Sequence, residues 1–272
     1  MKIAVCFKIV PDYEEAAPST WENMDVLDFT YVKKMYGCFD EAALETGLKL
    51  KDSLQAAGRS AETLAVTVGG GPEVLLQGLF AAGFDRVVTI TQEDGEAQEA
   101  GSPTPLSGGP DFRPQDTARI LADFLRVENP DVILTGKMTG PGDSGMVPFY
   151  LAAEMKCPLL TEVTRAEYDP QGGRIRFSRQ TEDQILCQAV RGMAVCAVGD
   201  AETPYLRMFS LKARMEARSR KPEDWKSGVP HSPCHVLFHS QVRQGKCTMI
   251  DGETPEQKAE ALWRRLNGED GE

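Results

Sequence analysis

Apolar runs alternate with segments of helical periodicity from the N-terminus to about residue 200 of this chain. Ile3–Ile9 reads as a strand, broken only by Lys8 and closed by Pro11-Asp12. Asp40–Ala57 has the spacing of a helix, with Ala43, Leu44, Leu48, Leu50 and Leu54 at its apolar positions. Leu64–Val68 is a second strand, followed by three glycines and Pro72, which suits the first turn of a helix ending near Ala82. Val87–Ile90 then predicts a strand, Gln115–Val127 a helix and Val132–Leu134 a further strand. Continuous Val, Ile and Leu strands in a βαβαβαβ order imply a parallel sheet covered on both faces. The expected fold class is therefore α/β, doubly wound around a mostly parallel sheet.

Beyond Pro158 the pattern changes. Leu159–Tyr168, Arg174–Arg179 and Ile185–Ala189 are short strand-like runs joined by turns, which predicts a short antiparallel extension of the sheet. Met193–Val198 is a last buried strand, after which the chain becomes irregular and basic, then polar. It closes on Thr254-Pro255-Glu256-Gln257, an N-cap with a proline at the first helical position and a capping-box glutamine. The helix so opened carries Ala259, Leu262, Trp263 and Leu266 on one apolar stripe. Between Gln92 and Arg113 only Glu, Gly, Ser and Pro dominate, the composition of a long surface loop.

The segment from Asp131 to Val147 carries the strongest functional signal. Its strand runs into a loop with Gly136, Gly140, Gly142 and Gly145, and an apolar helix through Tyr150, Leu151 and Ala152 follows. Glycines permit positive φ and close approach of a ligand to backbone. A strand, a glycine turn and a helix N-terminus present unpaired N–H groups and a positive dipole to a phosphate. Asp143 and Ser144 are the expected N-caps. A tight turn that binds nothing has the same local pattern, and the loop matches neither G-x-x-x-x-G-K-[ST] nor G-x-G-x-x-G.

Composition narrows the classes. With 41% apolar and 26% charged residues, the 272-residue chain has a globular composition. Its net charge of −11 opposes general nucleic-acid binding. The N-terminal apolar run is too short for a membrane span and lacks the cleavage region of a signal peptide. Seven cysteines without a CxxC pair, two of them inside strand-like runs, point to reduced thiols and a cytoplasmic location. His231, Cys234, His235 and His239 lie close in sequence, but Pro233 disrupts a helical ligand set. No second ligand pair accompanies them, so a solvated or partner-packing tail is the expected reading and no metal is assigned. Neither G-x-S-x-G nor H-E-x-x-H occurs, and Glu41, Glu45 and Asp52 have the spacing of a solvated helix face. No residue is assigned a catalytic role. In an otherwise acidic chain, Arg207–Lys221 is basic and interleaves Met208, Phe209, Leu211 and Met215 with Arg and Lys. Such a segment is either a solvated face or an apolar docking anchor in a basic collar.

Taken in order, these pieces resemble the β subunit of electron transfer flavoproteins, including the variants linked to carnitine and nitrogen-fixation metabolism. The opening Met1-Lys-Ile-Ala-Val-Cys-Phe-Lys-Ile-Val-Pro-Asp12 is similar to that family's first strand, and Phe39–Glu45 to its first long helix. Ala82-Gly-Phe-Asp-Arg86, Asp116-Thr117-Ala118, Gly136-Lys137 with Gly142-Asp143-Ser144, and Gly252–Glu256 match further family segments. Arg207-Met-Phe-Ser-Leu-Lys212 aligns with the loop by which family members recognise partner dehydrogenases. Pro141, Met146, Gln180, the Glu202–Arg207 approach and the long loop at 92–113 depart from the pattern.

The resemblance implies a Rossmann-like, adenine-nucleotide-binding domain over residues 1–200, a recognition segment over 201–222 and a C-terminal arm over 223–272 packing on a partner. It implies a heterodimer with a flavin-bearing α subunit holding FAD, and AMP or a second FAD in this chain. By the same resemblance, nucleotide contacts come from Cys6, from Gly37, Cys38, Phe39 and Asp40, and from Val68. The rest come from Gly136, Lys137, Met138, Thr139, Gly140, Gly142, Asp143, Ser144, Gly145, Met146 and Val147. Partner recognition falls to Leu211, flanked by Arg207, Lys212 and Arg214. The alternative is a stand-alone adenine-nucleotide sensor with the same sheet; a nucleotide hydrolase is disfavoured because no activated base or nucleophile accompanies the loop.

Overall fold

A computed structural model describes residues 1–15, 26–27, 29, 31–92, 104–105, 113–140, 142–229 and 249–267. The histidine–cysteine tail at 231–239, most of the 92–113 loop and Pro141 lie outside the described residues. By contacts the chain divides into Met1–Phe238 and His239–Glu272.

In the first unit the chain runs β1 (Lys2–Cys6), β2 (Ile9–Pro11), β3 (Val26–Leu27), β4 (Lys34–Tyr36), α1 (Cys38–Ala56) and β5 (Glu62–Val68). There follow α2 (Glu73–Ala82), β6 (Arg86–Gln92), β7 (Thr104–Pro105), α3 (Pro114–Glu128), β8 (Val132–Gly136) and α4 (Val147–Met155). The unit ends with β9 (Leu159–Asp169), β10 (Arg174–Gln180), β11 (Ile185–Ala189), β12 (Val195–Val198), α5 (Leu211–Ala217) and β13 (Glu223–Ser227). Nine of these strands form one sheet in the order β11-β10-β9-β12-β8-β1-β5-β6-β13. Pairings from β9 through to β13 are parallel. Only β9·β10 and β10·β11 are antiparallel, as the short runs after Pro158 predict.

Alternation along β1 shows why both faces are covered. Ile3 and Val5 point into a core with Leu44, Leu48 and Leu54 of α1 and Leu79 of α2. Ala4 and Cys6 point into the opposite core, with Ile120, Phe124 and Leu125 of α3 and Leu151 of α4. Each fully buried Leu or Ile contributes roughly 1.5–3 kcal/mol relative to exposure. Gly47 has a packing reason: a Cβ there would lie 2.6 Å from Val5 Cγ2, so α1 approaches the sheet closely at this point. At the far edge, Arg86 at the start of β6 grips two carboxylates. It holds Glu128 at 2.8 and 2.9 Å and Glu223 at 2.8 and 2.7 Å.

Two elements differ from the sequence pattern. The predicted Ile3–Ile9 strand divides: β1 stops at Cys6, and Ile9–Pro11 pairs antiparallel with β4. Glu223–Ser227 forms an edge strand of the main sheet beside β6, although Glu-Asp-Trp-Lys-Ser has no apolar alternation. Its place is set by Arg86 on Glu223 and by Trp225 against Phe124, with ring centroids 5.3 Å apart. In the second unit, α6 (Pro255–Leu266) starts as its sequence predicts. The Gln257 amide donates to Thr254 Oγ1 at 3.3 Å, and the Glu253 amide to Gln257 Oε1 at 2.8 Å. Leu262, Trp263 and Leu266 are exposed.

Candidate functional site

The strand order reverses at β1: β5 and β6 follow on one side of it, β8 and β12 on the other. Ligands of open α/β sheets bind at such a switch point, outside the carboxyl ends of the strands. A crevice of ≈ 780 Å³, its open mouth included, lies at this place. Cys6 at the end of β1 with Phe7 just past it, Val68 at the end of β5 and Thr135 and Gly136 of β8 contribute the strand side. Pro114, Thr117 and Leu121 of α3 form one wall, with Val147 and Pro148 of α4 nearby. Lys137, Met138, Thr139, Ser144 and Gly145 form the loop rim.

The loop owes its shape to glycines where the sequence places them. Gly142 has φ 96° and Gly145 φ 62°, values that a Cβ penalises. Asp143 also adopts a positive φ of 35°. In consequence the helix begins only at Val147, with Met146 as its N-cap and no side-chain cap bond. The expectation of Asp143 and Ser144 as N-caps is therefore corrected: both residues lie in the non-helical loop ahead of the cap. Ser144 Oγ instead accepts from the Met146 amide at 3.3 Å. The first amides of α4 lack intrahelical acceptors, as at any helix start, and with the helix dipole they favour an anion at the rim.

The buried Thr135 Oγ1 of the crevice has no hydrogen-bond partner among the described residues, and the buried Thr139 Oγ1 faces the Asp40 carboxylate. A buried polar group without a partner costs roughly 1–3 kcal/mol, so such groups usually meet a ligand or water. Phe7, Val68, Leu121, Val147 and Pro148 give the crevice apolar surface, and the Cys6 thiol adds to it: burial, with the Asp40 charge in support, pushes its pKa up to about 12. A neutral thiol there offers packing, not nucleophilic chemistry. Apolar surface with a few convergent polar groups beside a helix N-terminus suits a ligand with one apolar portion and one anionic end.

Ten of the sequence-derived nucleotide positions line this crevice: Cys6, Asp40, Val68, Gly136, Lys137, Met138, Thr139, Ser144, Gly145 and Val147. Gly37 lies behind the wall, where a Cβ would meet Thr139 Oγ1 and Asp40 Oδ2, while Cys38 is exposed on the first turn of α1. Phe39 packs under Lys137, whose Nζ sits 4.6 Å from the ring centroid. Gly140, Gly142, Asp143 and Met146 belong to the loop without lining the crevice. Lys137 is directed elsewhere: its ammonium faces Glu162 and Asp200, each at 3.4 Å. Glu162 is brought there by an irregularity in β9, where it takes a φ of 53°. Sequence reading missed Phe7, Lys8, Pro114, Thr117, Leu121, Thr135 and Pro148. A threonine ending the apolar run of β8 was a visible signal; the α3 wall had none, because only packing brings it over the strand ends.

A second groove runs between α2 and the segment 206–218, lined by Tyr36, Leu75, Gly78, Phe209 and Leu211 among others. Leu211 opens α5 and is 75% exposed, with Met208 and Met215 also exposed. Ser210 Oγ caps the helix by accepting from the Ala213 amide at 3.1 Å. Lys212 is exposed, its Nζ 4.0 Å from Glu216, and Arg214 lines the groove. Arg207 differs from these, because its guanidinium is paired with Glu45 and Asp52 of α1.

Comparison with known proteins agrees with this architecture. The electron transfer flavoprotein domain matches residues 37–229. A putative electron transfer flavoprotein subunit, YgcR of Escherichia coli K12, is 26% identical over 272 residues, covering 97% of this chain and 96% of the relative. The electron transfer flavoprotein subunit beta of Megasphaera elsdenii is 26% identical over 264 residues, with 90% of each chain covered. That of Bradyrhizobium diazoefficiens is 26% identical over 222 residues, covering 81% of this chain and 79% of its own. Among the described residues no helix is long and apolar enough to cross a membrane. The domain match spans more than half of the sequence, from the start of α1 past β13, and the chain belongs to the electron transfer flavoprotein family.

Proposed function

We propose that this chain is a β-type subunit that holds an adenine nucleotide, AMP or the AMP portion of a second FAD, in the crevice at the β1/β8 switch point. It pairs with an α-type subunit carrying the redox FAD and passes electrons between a dehydrogenase and an acceptor. The observation that carries the nucleotide reading is the buried Thr135 hydroxyl, which has no partner among the described residues, in a crevice that ends at a helix N-terminus. Flavin supplies the electron chemistry when bound; the protein's part is placement and electrostatics.

The residues fit that division of labour. Val68, Leu121, Val147 and the neutral Cys6 offer apolar surface to a base. The two threonines supply hydroxyls for a sugar or phosphate, and the α4 start supplies amides. Lys137 is occupied at both ends, its ammonium by Glu162 and Asp200 and its amide by the Val198 carbonyl at 2.9 Å, so the grip on an anion falls to the other loop residues and the start of α4. Pairing is supported by the β-subunit relatives and by exposed Leu211 in its basic surroundings. A stand-alone nucleotide sensor leaves that segment without a purpose.

The test is co-expression with an α-type electron transfer flavoprotein subunit, followed by denaturation and identification of the released nucleotides. One FAD with one AMP per heterodimer is the outcome for simple transfer, and two FAD for a bifurcating type. A chain that purifies alone, colourless and without adenine nucleotide would sink the proposal.

A further inference from the structure

Asp40 is an acidic residue buried in a crevice that is read here as the seat of an anion. It stands in the first turn of α1, and its two oxygens reach two other elements. Oδ2 accepts from the Lys8 amide at 3.2 Å, just past β1, and Oδ1 accepts from the Gly136 amide at 3.3 Å, at the end of β8. Two glycines leave room for it: a Cβ at Gly136 would lie 2.5 Å from Oδ1, and one at Gly37 would lie 2.5 Å from Oδ2. A single carboxylate thus ties the start of α1 to both strand ends beneath the nucleotide loop.

The charged and titratable groups around it are few. From β1 comes the neutral Cys6 thiol, and from the segment after β1 the Lys8 charge, which favours the carboxylate. Thr139 Oγ1 faces the carboxylate from the loop and favours the charged form. The Lys137 ammonium is engaged by Glu162 and Asp200, and on the α3 side Asp116 is paired with Arg113 at 2.9 Å. The first turn of α4 carries no acid. Burial raises the Asp40 pKa to about 7, against the opposing pull of Thr139 and of the Lys8 and Gly136 amides. An anion placed at the rim adds a like charge within the same poorly screened crevice.

We infer that Asp40 is a positioning residue that takes up one proton from solvent as an anionic nucleotide binds. The neutral acid keeps acceptor oxygen for the strand-end amides and relieves its repulsion with the phosphate. The inference rests on the reading of the crevice as a nucleotide site. It makes nucleotide retention sensitive to pH in the physiological range.

The experiment is calorimetric titration of the full-length chain with AMP from about pH 6.5 to about 9, in buffers of different ionisation enthalpy. Wild-type affinity should fall towards about tenfold per pH unit on the alkaline side, with uptake of close to one proton per AMP bound. Asp40→Asn should bind at alkaline pH with no such fall, and the ionisation of AMP itself cancels in the ratio of the two proteins. Adenosine, which has no phosphate, should show no comparable pH dependence on the wild type. Parallel profiles for wild type and variant would overturn the role of Asp40 while leaving the nucleotide site standing. AMP binding at no pH would overturn the site and the inference together. If Asp40→Asn does not fold, absence of the buffer-dependent proton uptake, or equal pH dependence with adenosine, refutes the inference on wild-type protein alone.

Discussion

Arg207 and Glu45 clasp each other across 162 residues of sequence. The Arg207 amide and Nη2 both donate to the Glu45 carboxylate at 2.9 Å, and Nε donates at 3.1 Å. Glu45 is buried in α1, so this pair seats the start of the basic segment on the domain. Arg207 therefore acts on the segment's position. Glu45→Ala leaves the guanidinium with only exposed Asp52 and is expected to cost roughly 2 kcal/mol, reduced from a fully buried pair by solvent access. Urea unfolding measures it; an unchanged midpoint would show that the clasp is dispensable.

Leu211→Ala should leave stability within about 0.5 kcal/mol of wild type, because the side chain is largely exposed. Electron exchange with a partner dehydrogenase should slow several-fold if Leu211 is the anchor, while nucleotide content stays constant. Stopped-flow reduction by the partner distinguishes the outcomes, and unchanged kinetics would remove the docking role.

Gly136→Ala should be far more harmful than Gly70→Ala. At Gly136 a Cβ would stand 2.8 Å from the Asp40 backbone nitrogen and 2.9 Å from the Phe39 carbonyl carbon; at Gly70 nothing lies within 4 Å. Overpacking against backbone costs roughly 1–3 kcal/mol and should also displace the nucleotide loop. Thermal unfolding together with nucleotide content reports both effects. Equal stability of the two variants would refute the close approach of β8 to α1.

Glu128 gives the domain an acid-sensitive tie. Hydrogen bonds from Arg86, followed by Lys2, lower its pKa from 4.5 to about 2. A folded-state pKa below the unfolded value adds stability that is present above pH 4.5 and lost as pH falls towards 2. Glu128→Gln should therefore destabilise at neutral pH by roughly 1 kcal/mol, after allowance for solvent screening, and progressively less on acidification. Stability curves of the two proteins that stay parallel down to the acid limb would contradict this.

Much of the site was visible in the order of residues. Gly142 and Gly145 stand where the loop needs positive φ, and the apolar runs of β1, β5 and β8 predict the strands whose ends frame the crevice. The loop-then-helix pattern did not show where α4 starts, because the Met146 cap depends on backbone angles two residues beyond Ser144. Nor did it show that Lys137 turns away from the crevice. That follows from Glu162, carried to it by an irregularity in a strand 25 residues further on.

Periodicity and turn chemistry are local, so the sequence alone determined the α/β class, the parallel sheet with its antiparallel extension, the glycine loop and the capped C-terminal helix. The partners of charged side chains are not local. Tertiary structure alone decided that Arg207 holds its own domain, that the Thr135 hydroxyl lies buried with no partner among the described residues, and that Asp40 spans two strand ends in the same crevice. The reason is that burial and dielectric environment belong to the packed arrangement of distant segments, and no pattern within a single segment encodes them.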